Sequence, residues 1–440
     1  MKPSSHTSAV IEILESIENS SIPADKVISF WNQNNRYAGS KDKNTIAKTV
    51  YDILRHRGEL SWWIEKLGFD VNVRTIIITY FHFWGKNPVE LFNDDNNKFA
   101  PNDLTKPDFE LIKSLSSNKK LGDKDMPEYV QLNVQSWLYD KFKEVYGDET
   151  FHAINAMNKE GSVDIRVNTL KSNIDMVRNA LKQNNIDALD LNLLDDGLRL
   201  KKRYALSSLE AFKNGLFEIQ DYGSQLASKL IGAKKGDKIV DFCAGAGGKT
   251  LAMAQDMENT GRIIYCDVSE KRLNRASIRL RRSGVNNAEK RVLSSERDKW
   301  IKRRTERLDG GFDRVVIDAP CSGTGTWRRN PDQKWRTTEN TLNELVELQE
   351  NILQSASRLT RPGGKIIYIT CSLLAEENEN QINKFIKNND DFDLCDIKEI
   401  WKDTFNNPLK SAGKTLRISP HNFNSDGFFI AVITRKYHRT

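Results

Sequence analysis

Two cysteines of this sequence stand where catalytic groups are expected, each directly after a predicted strand. Cys371 follows the apolar run 365–370, and Cys321 follows the run 313–318, which ends in Asp318. Because the carboxyl ends of parallel strands meet at one edge of a sheet, we expect both thiols and the acid to lie close together. A thiol with a pKa of about 8.5 needs nearby positive charge before it becomes a nucleophile. The pattern therefore predicts covalent catalysis by a thiolate.

The stretch 238–250 predicts where a ligand binds beside these thiols. It runs from an apolar strand through three closely spaced glycines into a helix, so a ligand can approach the backbone at a helix N-terminus. A P-loop would need glycine where Cys243 stands, and a dinucleotide loop would need a third glycine where Thr250 stands. Asp267, which ends the next strand, can accept hydrogen bonds from ribose hydroxyls. This stretch alone leaves S-adenosylmethionine and a nucleotide as alternatives.

Two thiols, an acid and a methyl donor together would suit one reaction. C5 of cytosine is a poor nucleophile, but a thiolate that adds to C6 makes C5 electron-rich enough to attack a sulfonium methyl group. The C5 proton must then be removed and the enzyme thiol eliminated, which gives the second cysteine a role. Lys249 and the helix termini could activate a thiol, and Asp318 could hold the base. The methyl chemistry belongs to the cofactor, whereas orientation and electrostatics belong to the protein.

The elements that must position these residues alternate between strand and helix from Leu216 onward, as in a doubly wound α/β sheet. The predicted strands are 238–242, 262–267, 290–293, 313–318, 365–370 and 428–434. The predicted helices are 222–232, 249–258, 270–283 and 340–360, with an acidic helix at 376–380. Residues 1–125 read as an all-helical domain with a linker. Residues 126–215 read as a small α+β domain with strands near 162–170 and 198–201.

The charge of the chain favours a polyanionic partner. Its 440 residues carry a net charge of +7, with a pI of about 8.9. Basic residues cluster in three runs that predict a phosphate-tracking surface. The runs are Lys271, Arg272, Arg275, Arg279, Arg281 and Arg282; then Lys299, Lys302, Arg303, Arg304 and Arg307; then Arg328, Arg329, Lys334 and Arg336.

Cysteine usage and hydropathy limit the other partners. Five cysteines without a C-x-x-C pair favour neither a disulfide framework nor a zinc site, so we expect a reducing cytoplasm and no metal. The N-terminus lacks the apolar core of a signal peptide. The longest apolar run, 75–84, is too short to span a bilayer, so we expect no membrane partner.

Three motifs occur together in this sequence. They are Asp-Phe-Cys-Ala-Gly-Ala-Gly-Gly-Lys-Thr at 241–250, Asp-Ala-Pro-Cys-Ser-Gly-Thr-Gly at 318–325 with Arg-Arg-Asn-Pro-Asp-Gln-Lys-Trp at 328–335, and Thr-Cys-Ser at 370–372. The combination resembles the Sun/Nop2 family of RNA cytosine-5 methyltransferases, over residues 128–436. Residues 37–60 resemble the antitermination-factor-like (NusB-like) helical extension of the bacterial ribosomal enzymes. The resemblance implies an α/β fold: a Rossmann-like S-adenosylmethionine-dependent methyltransferase domain at 216–440, preceded by an RRM-like α+β RNA-binding domain and an all-α NusB-like domain.

The resemblance also implies a role for each matching residue. Cys371 would be the nucleophile at C6, Cys321 would assist product release, and Lys249 and Asp318 would contact the target base. The implied cofactor-binding residues are Cys243, Ala244, Gly245, Ala246, Gly247, Gly248, Lys249, Asp267, Asp298 and Asp318. The family's acid for the adenine amino group falls within Ser-Ser-Glu-Arg-Asp at 294–298, where we choose Asp298 over Glu296.

The implied function is S-adenosylmethionine-dependent methylation of cytosine C5 in structured RNA by a monomer. Ribosomal RNA is the favoured substrate and transfer RNA the alternative. DNA cytosine methylation would place the nucleophile in the Pro-Cys motif and would not need Thr-Cys-Ser. A nucleotide hydrolase would instead bind ATP with magnesium at the glycine-rich loop. A non-catalytic RNA-binding assembly factor would leave both thiols idle.

Overall fold

The computed structural model describes residues 1–116, 120–305, 311–409 and 413–437. They form two compact units. One unit comprises Met1–Lys159 with Trp327–Thr337, and the other comprises Glu160–Thr326 with Thr338–Thr440. We expected boundaries near residues 125 and 215, whereas the structure groups the residues up to Lys159 with the N-terminal helices.

The first unit is built from helices. They are α1 (Pro3–Glu18), α2 (Ala24–Asn34), α3 (Ser40–Lys66), α4 (Val73–Phe83), α5 (Pro88–Phe92), α6 (Lys106–Leu115), α7 (Glu128–Gln131), α8 (Ser136–Tyr146), α9 (Thr150–Met157) and, from the later segment, α16 (Gln333–Arg336). Apolar residues at helical spacing, such as Ile13, Val50 and Ile77, form its core. Val130 of α7 packs into the same core, which explains why residues beyond 125 belong to this unit.

The segment 327–337 lies within this helical unit although it is distant in sequence. The side chain of Trp327 is fully buried, with its ring centroid 5.2 Å from that of Phe142. The backbone N–H of Ala24 donates to Oδ2 of Asp332 at 3.1 Å. The segment is therefore part of the packed core of the helical unit.

Two cations of this segment are buried, and this changes the interpretation of the third basic run. Lys334 is fully buried, and its Nζ donates to Oδ1 of Asn158 at 2.7 Å and to the carbonyl of Arg55 at 3.3 Å. Burial, together with the charge of Arg55, lowers the pKa of Lys334 to about 7. Arg328 is buried as well. The prediction that Arg328 and Lys334 form part of a phosphate-tracking surface is wrong because their side chains serve packing.

The second unit begins with a small antiparallel sheet. Its elements are β1 (Val163–Val167), α10 (Ile174–Gln183), β2 (Ala188–Asp190), β3 (Gly197–Leu200), α11 (Glu210–Lys213) and β4 (Phe217–Ile219). The strand order is β2-β3-β1-β4. β4 lies beyond the expected boundary at 215 and completes this sheet by pairing with β1.

The rest of the second unit is a large sheet flanked by helices. Its elements are α12 (Tyr222–Lys229), β5 (Lys238–Asp241), α13 (Gly248–Asp256), β6 (Arg262–Asp267), α14 (Glu270–Arg282), β7 (Ala288–Val292), α15 (Lys299–Thr305), β8 (Phe312–Asp318), α17 (Glu339–Ser357), β9 (Thr360–Thr370), α18 (Glu379–Asn388), β10 (Phe392–Leu394), α19 (Ile397–Phe405), β11 (Leu416–Ile418), α20 (Pro420–Phe423) and β12 (Phe428–Arg435). The strand order is β10-β12-β9-β8-β5-β6-β7, with β11 on β12. The strands β5 to β9 are parallel, and β12 is antiparallel to β9.

This topology places the predicted site at a switch point. From β5 the chain builds outward through β6 and β7, then returns to the other side of β5 through β8 and β9. Ligands of open α/β sheets bind beyond the carboxyl ends of the strands at such a reversal. The predicted doubly wound sheet is confirmed, and the predicted acidic helix at 376–380 begins instead at Glu379. In the described ranges, no helix is long and apolar enough to cross a bilayer.

A buried carboxylate joins the small sheet to the large one. Glu218 of β4 accepts from Nε of Arg279 at 2.7 Å and from the hydroxyl of Ser283 at 3.0 Å, and it also pairs with Arg282. Burial of Glu218 opposes its ionisation, but the two arginines outweigh burial and lower the pKa of this carboxyl. Asn168 adds a hydrogen bond from Nδ2 to the carbonyl of Ser283 at 2.8 Å.

We expect Glu218→Gln to lower the free energy of unfolding by about 2 kcal/mol, because two arginines lose a buried charged partner. The pKa of Glu218 is lower in the folded state than its usual 4.5, so its contribution is present above that pH and is lost as pH falls through the folded pKa. The difference between variant and wild type should therefore shrink in acid. Urea unfolding at a series of pH values measures it.

Glu289→Gln is the matched control, because Glu289 pairs with Arg262 on the surface, where both side chains are more than half exposed. We expect that change to alter the unfolding free energy by less than about 1 kcal/mol. Equal effects of the two substitutions would contradict the role given to Glu218.

Candidate active site

The two predicted cysteines meet at the carboxyl ends of neighbouring parallel strands. Cys321 follows β8 and Cys371 follows β9, and Asp318 lies opposite Ile369 in the register of the two strands. The Sγ atoms are 3.4 Å apart, and both cysteines are free. The expectation that the thiols lie together is confirmed by this distance.

The contact between the two sulfur atoms affects the ionisation of Cys321. The hydrogen bond with Cys371, followed by burial, raises the pKa of Cys321 well above its usual range. At neutral pH Cys321 therefore keeps its proton and can donate S–H to the sulfur of Cys371. This arrangement places a protonated thiol within hydrogen-bond reach of the Cys371 sulfur.

A buried carboxylate, which the sequence analysis did not single out, holds the two cysteine loops together. Glu377 is fully buried in the turn before α18. It accepts from the N–H of Ser322 at 2.8 Å, from the hydroxyl of Ser322 at 2.5 Å and from Nε2 of Gln349 at 2.9 Å. Because Ser322 follows Cys321 and Glu377 lies in the loop after Cys371, one carboxylate fixes both loops. The only sequence signal was the acidic character of residues 376–380.

Two glycines allow the backbones behind the thiols to touch. The N–H of Gly427 donates to the carbonyl of Gly325 at 2.7 Å, and the N–H of Gly325 donates to the carbonyl of Cys371 at 2.9 Å. A Cβ on Gly325 would lie 2.4 Å from the carbonyl oxygen of Gly427. Any side chain at this position would therefore force the Cys321 loop away from β12.

Lys249 and Asp318 form an ion pair at the same edge. Nζ of Lys249 lies 2.7 Å from Oδ2 of Asp318 and 5.4 Å from the ring centroid of Phe428. The Lys249 side chain is 7% exposed, whereas that of Asp318 is 35% exposed. The structure thus brings together these two predicted residues. Asp318 is accessible to solvent, and the buried Lys249 balances its negative charge.

The glycine-rich loop and Asp267 are tied to each other. The N–H of Gly245 donates to Oδ2 of Asp267 at 3.1 Å, and Oδ1 of Asp267 accepts from the N–H of Ser269 at 2.7 Å. Gly247 adopts a φ of 76° and a Cβ there would lie 3.0 Å from Cβ of Ala276. The loop ends where α13 begins, at Gly248, one residue before the start of the predicted helix 249–258.

A cavity lies between this loop and β8. Its polar lining is Cys243, Asp267, Arg272, Glu296 and Asp318, and its apolar lining is Phe242, Val268, Leu293, Pro320, Leu348 and Ile352. A lining of carboxylates and apolar side chains fits a nucleoside, whose ribose hydroxyls donate and whose base packs against hydrocarbon. These residues could hold the adenosine part of S-adenosylmethionine.

Asp298, which we chose for the adenine contact, is not among the lining residues of this cavity. Its carboxylate accepts from the N–H of Ser294 at 2.8 Å and from the N–H of Trp300 at 2.7 Å, and these bonds lower the pKa of Asp298. Glu296 lines the cavity instead. Of the two acids weighed for the adenine contact, Glu296 therefore faces the cavity, whereas Asp298 closes the turn before α15.

The other cysteines lie apart from the thiol pair. Burial raises the pKa of Cys243 and of Cys266 well above the usual range, so both remain thiols. Sγ of Cys395 lies 2.9 Å from the hydroxyl of Thr434, at the β10 edge. Within the described part of the chain, no group of three or more His, Cys, Asp and Glu residues could hold a metal ion.

We expect Glu377→Gln to loosen the thiol pair, because an amide cannot accept from all three donors that the carboxylate satisfies. Loss of the charge-assisted bond from the Ser322 hydroxyl to Oε2 should lower the free energy of unfolding by roughly 2 kcal/mol. A mild oxidant should join Cys321 to Cys371 in the wild type, and more slowly in the variant. Mass spectrometry of non-reduced peptides measures the cross-link, with Cys395→Ala as a control that leaves it unchanged. A wild-type cross-link between other cysteines would contradict the geometry.

Comparison with known proteins gives matches along most of the chain. A family model described as 16S rRNA methyltransferase RsmB/F matches residues 229–434, and one for the ferredoxin-like domain of RsmF/B-like methyltransferases matches residues 135–207. Ribosomal RNA small subunit methyltransferase B of Yersinia enterocolitica is 32% identical over 302 residues, which are 68% of this chain and 66% of that protein. The enzyme of the same name from Shewanella oneidensis is 30% identical over 311 residues, which are 71% of this chain and 69% of that protein. The matched part thus spans slightly less than two thirds of the first relative.

Solved structures match as well. The crystal structure of PH0851 aligns with a TM-score of 0.76 and 25% identity, covering 99% of both chains. A methyltransferase homologue from Pyrococcus horikoshii aligns with a TM-score of 0.57 and 28% identity, covering 70% of this chain and 98% of that one. The family match at 229–434 includes the motifs at 241–250, 318–325 and 370–372. The chain therefore belongs to the RsmB/F group of the Sun/Nop2 family of S-adenosylmethionine-dependent RNA methyltransferases.

Proposed function

We propose that this protein methylates C5 of a cytosine in small-subunit ribosomal RNA through a covalent bond between Cys371 and C6. The observation that carries the proposal is the 3.4 Å approach of the Cys321 and Cys371 sulfur atoms beside the cavity of the glycine-rich loop. The ribosomal substrate is supported by the description of the matching family and by the names of the relatives.

The cofactor would be held by the cavity between the loop and β8. Asp267, which accepts from the N–H of Gly245, would accept from ribose hydroxyls, and Glu296, which lines the cavity, would accept from an adenine amino group. Apolar walls that include Leu293 and Ile352 would pack against the adenine ring. S-adenosylmethionine, when bound, supplies an electrophilic methyl group.

Cys371 would act on the pyrimidine ring. Its thiolate adds to C6, and the electron pair of the C5–C6 double bond becomes available at C5. Cys321 supports this charge on Cys371 because it stays protonated and lies within hydrogen-bond reach. A cytosine in a paired region would first have to leave its stack to reach the two sulfur atoms.

Cys321 would also assist release. After a water molecule takes the C5 proton, the electron pair of the C5–H bond restores the C5–C6 double bond, the bond between C6 and Sγ of Cys371 breaks, and the sulfur departs with its electron pair. The S–H of Cys321 can donate to this departing thiolate across 3.4 Å. Without that donor the covalent complex should persist, which distinguishes the two cysteines.

Asp318 and Lys249 would position the base. Asp318 is the accessible member of the pair, so its carboxylate can accept from the exocyclic amino group of cytosine. Lys249, 2.7 Å away and buried, would keep Asp318 oriented. An uncompensated acid here would repel the thiolate of Cys371.

We expect Cys371→Ala to reduce methylation by on the order of 10³-fold or more, since it removes the nucleophile. Cys321→Ala should instead trap enzyme on RNA as a complex that survives denaturing electrophoresis. Tritium transfer from labelled cofactor and gel mobility measure the two effects. Cys395→Ala, a substitution at the far edge of the sheet, should behave as wild type. Trapping by Cys371→Ala rather than Cys321→Ala would reverse the assignment.

Bisulfite sequencing of total RNA with and without this gene identifies the substrate class. We expect a protected cytosine in small-subunit ribosomal RNA that becomes convertible when the gene is removed. A lost signal in transfer RNA would move the proposal to that substrate. No change in any RNA would favour a non-catalytic binding protein.

A further inference from the structure

One stretch of the second unit has a larger net positive charge than the whole chain. Residues 270–305 contain thirteen Lys and Arg and four Asp and Glu, a net charge of +9, whereas the complete chain has +7. All other residues together are therefore slightly acidic. Such concentration predicts a local electrostatic role, which depends on whether these side chains share one surface.

The structure places them on one edge of the large sheet. α14, β7 and α15 belong to this stretch, and β7 is the outermost strand on its side. Nζ of Lys290 on β7 donates to Oδ1 of Asn274 on α14 at 2.9 Å. The guanidinium of Arg291 on β7 lies 5.6 Å from the ring centroid of Trp300 on α15. The three elements therefore form one continuous surface.

We call this surface the basic edge. Its exposed cations are Lys271, Arg272, Arg275, Arg281, Lys290, Arg291, Arg297, Lys299, Lys302 and Arg303. Arg307, predicted in the same run, lies outside the described residues. Unlike the buried Arg328 and Lys334, these side chains reach solvent.

Acidic residues neutralise only part of the basic edge. Glu270 lies 3.7 Å from Lys290, and Glu289 pairs with Arg262. Lys271, Arg275 and Arg281 have no acidic partner among the residues that the structure describes. Unpaired, exposed cations are free to exchange counterions for phosphates.

The basic edge begins at the cavity of the active site. Arg272 and Val268 line that cavity, and Arg272 lies 3.5 Å from Asp267. From there α14 carries Lys271, Arg275 and Arg281 over about 15 Å, at 1.5 Å of rise per residue. A polyanion on this helix would lie next to the mouth of the candidate active site.

We propose that the basic edge binds the phosphate backbone of the substrate RNA outside the catalytic cleft. This inference rests on the proposed function, which supplies RNA as the polyanion. Guanidinium groups suit phosphate oxygens, and contacts to phosphates position a nucleic acid without reading its sequence. The edge would therefore add affinity and orientation, while the choice of cytosine is made elsewhere.

The test is the triple substitution Lys271→Gln, Arg275→Gln and Arg281→Gln, measured by binding of transcribed small-subunit ribosomal RNA over a series of salt concentrations. Each lost phosphate contact should reduce the slope of log affinity against log salt by about 0.7 to 0.9. The triple variant should therefore lose roughly 2 to 3 of slope and bind RNA on the order of tenfold more weakly at low salt.

The matched control is Lys387→Gln, Lys398→Gln and Lys402→Gln. These exposed lysines of α18 and α19 flank β10 at the opposite edge of the sheet, and their removal lowers the net charge equally. Calorimetric binding of S-adenosylmethionine and thermal unfolding should be unchanged in both variants, since neither touches the cavity lining or the core.

The outcomes separate the inference from the proposed function. Weaker binding with a smaller salt slope in the triple variant alone supports the basic edge. Equal loss in both variants would mean that only net charge matters, and wild-type affinity in the triple variant would mean that RNA avoids this edge; either overturns the inference while methylation by wild type stands. Wild-type protein that neither binds nor methylates any RNA would overturn the proposed function itself.

Discussion

The carboxylate of Glu377 is the group on which the geometry of the two thiols depends. Burying a charged group is costly unless its lone pairs are satisfied, and here Ser322 and Gln349 provide three donors. The same carboxylate thereby fixes the loop after β8 to the loop after β9. The parallel register of these strands, with Asp318 opposite Ile369, brings the loops to the same level of the sheet. Strand pairing sets the approximate approach of the sulfur atoms, and the buried hydrogen bonds set the final distance.

The electrostatics of the site follow from the same arrangement. Cys321 stays protonated because it is buried and hydrogen-bonded to Cys371. Asp318 is paired with Lys249, which reduces the net negative charge at this edge of the sheet. Acids also gather at the carboxyl ends of β5 and β6. Asp241 shows that burial there disfavours the ionised form of a carboxyl. Burial raises its pKa to about 7, even though it accepts from the hydroxyl of Thr250 at 2.6 Å.

The sequence was sufficient for the parts of this fold that repeat a local pattern. Apolar runs that end in Asp267, Asp318 or Thr370 predicted strands of one sheet, and the rule for strand ends placed Cys321 and Cys371 together. Contacts between residues far apart in sequence could not be predicted from local patterns. The burial of Lys334 depends on helices more than 170 residues earlier in the chain. The structural role of Glu377 depends on hydrogen bonds from Ser322 and Gln349, which are also distant in sequence. The sequence did not separate Asp298 from Glu296, because a turn hydrogen bond and a ligand contact require the same residue type.

The insertion of residues 327–337 has a consequence for the order in which the protein can fold during synthesis. The helical unit contains Met1–Lys159, yet Trp327 and Lys334 occupy its interior. While the ribosome makes residues 160–326, the nascent helices have no indole against Phe142 and no ammonium group for Asn158. The N-terminal helices therefore cannot complete their packing until the chain beyond the Cys321 loop has emerged from the ribosome. Biogenesis of the helical unit is therefore coupled to that of the loop that carries a candidate catalytic thiol.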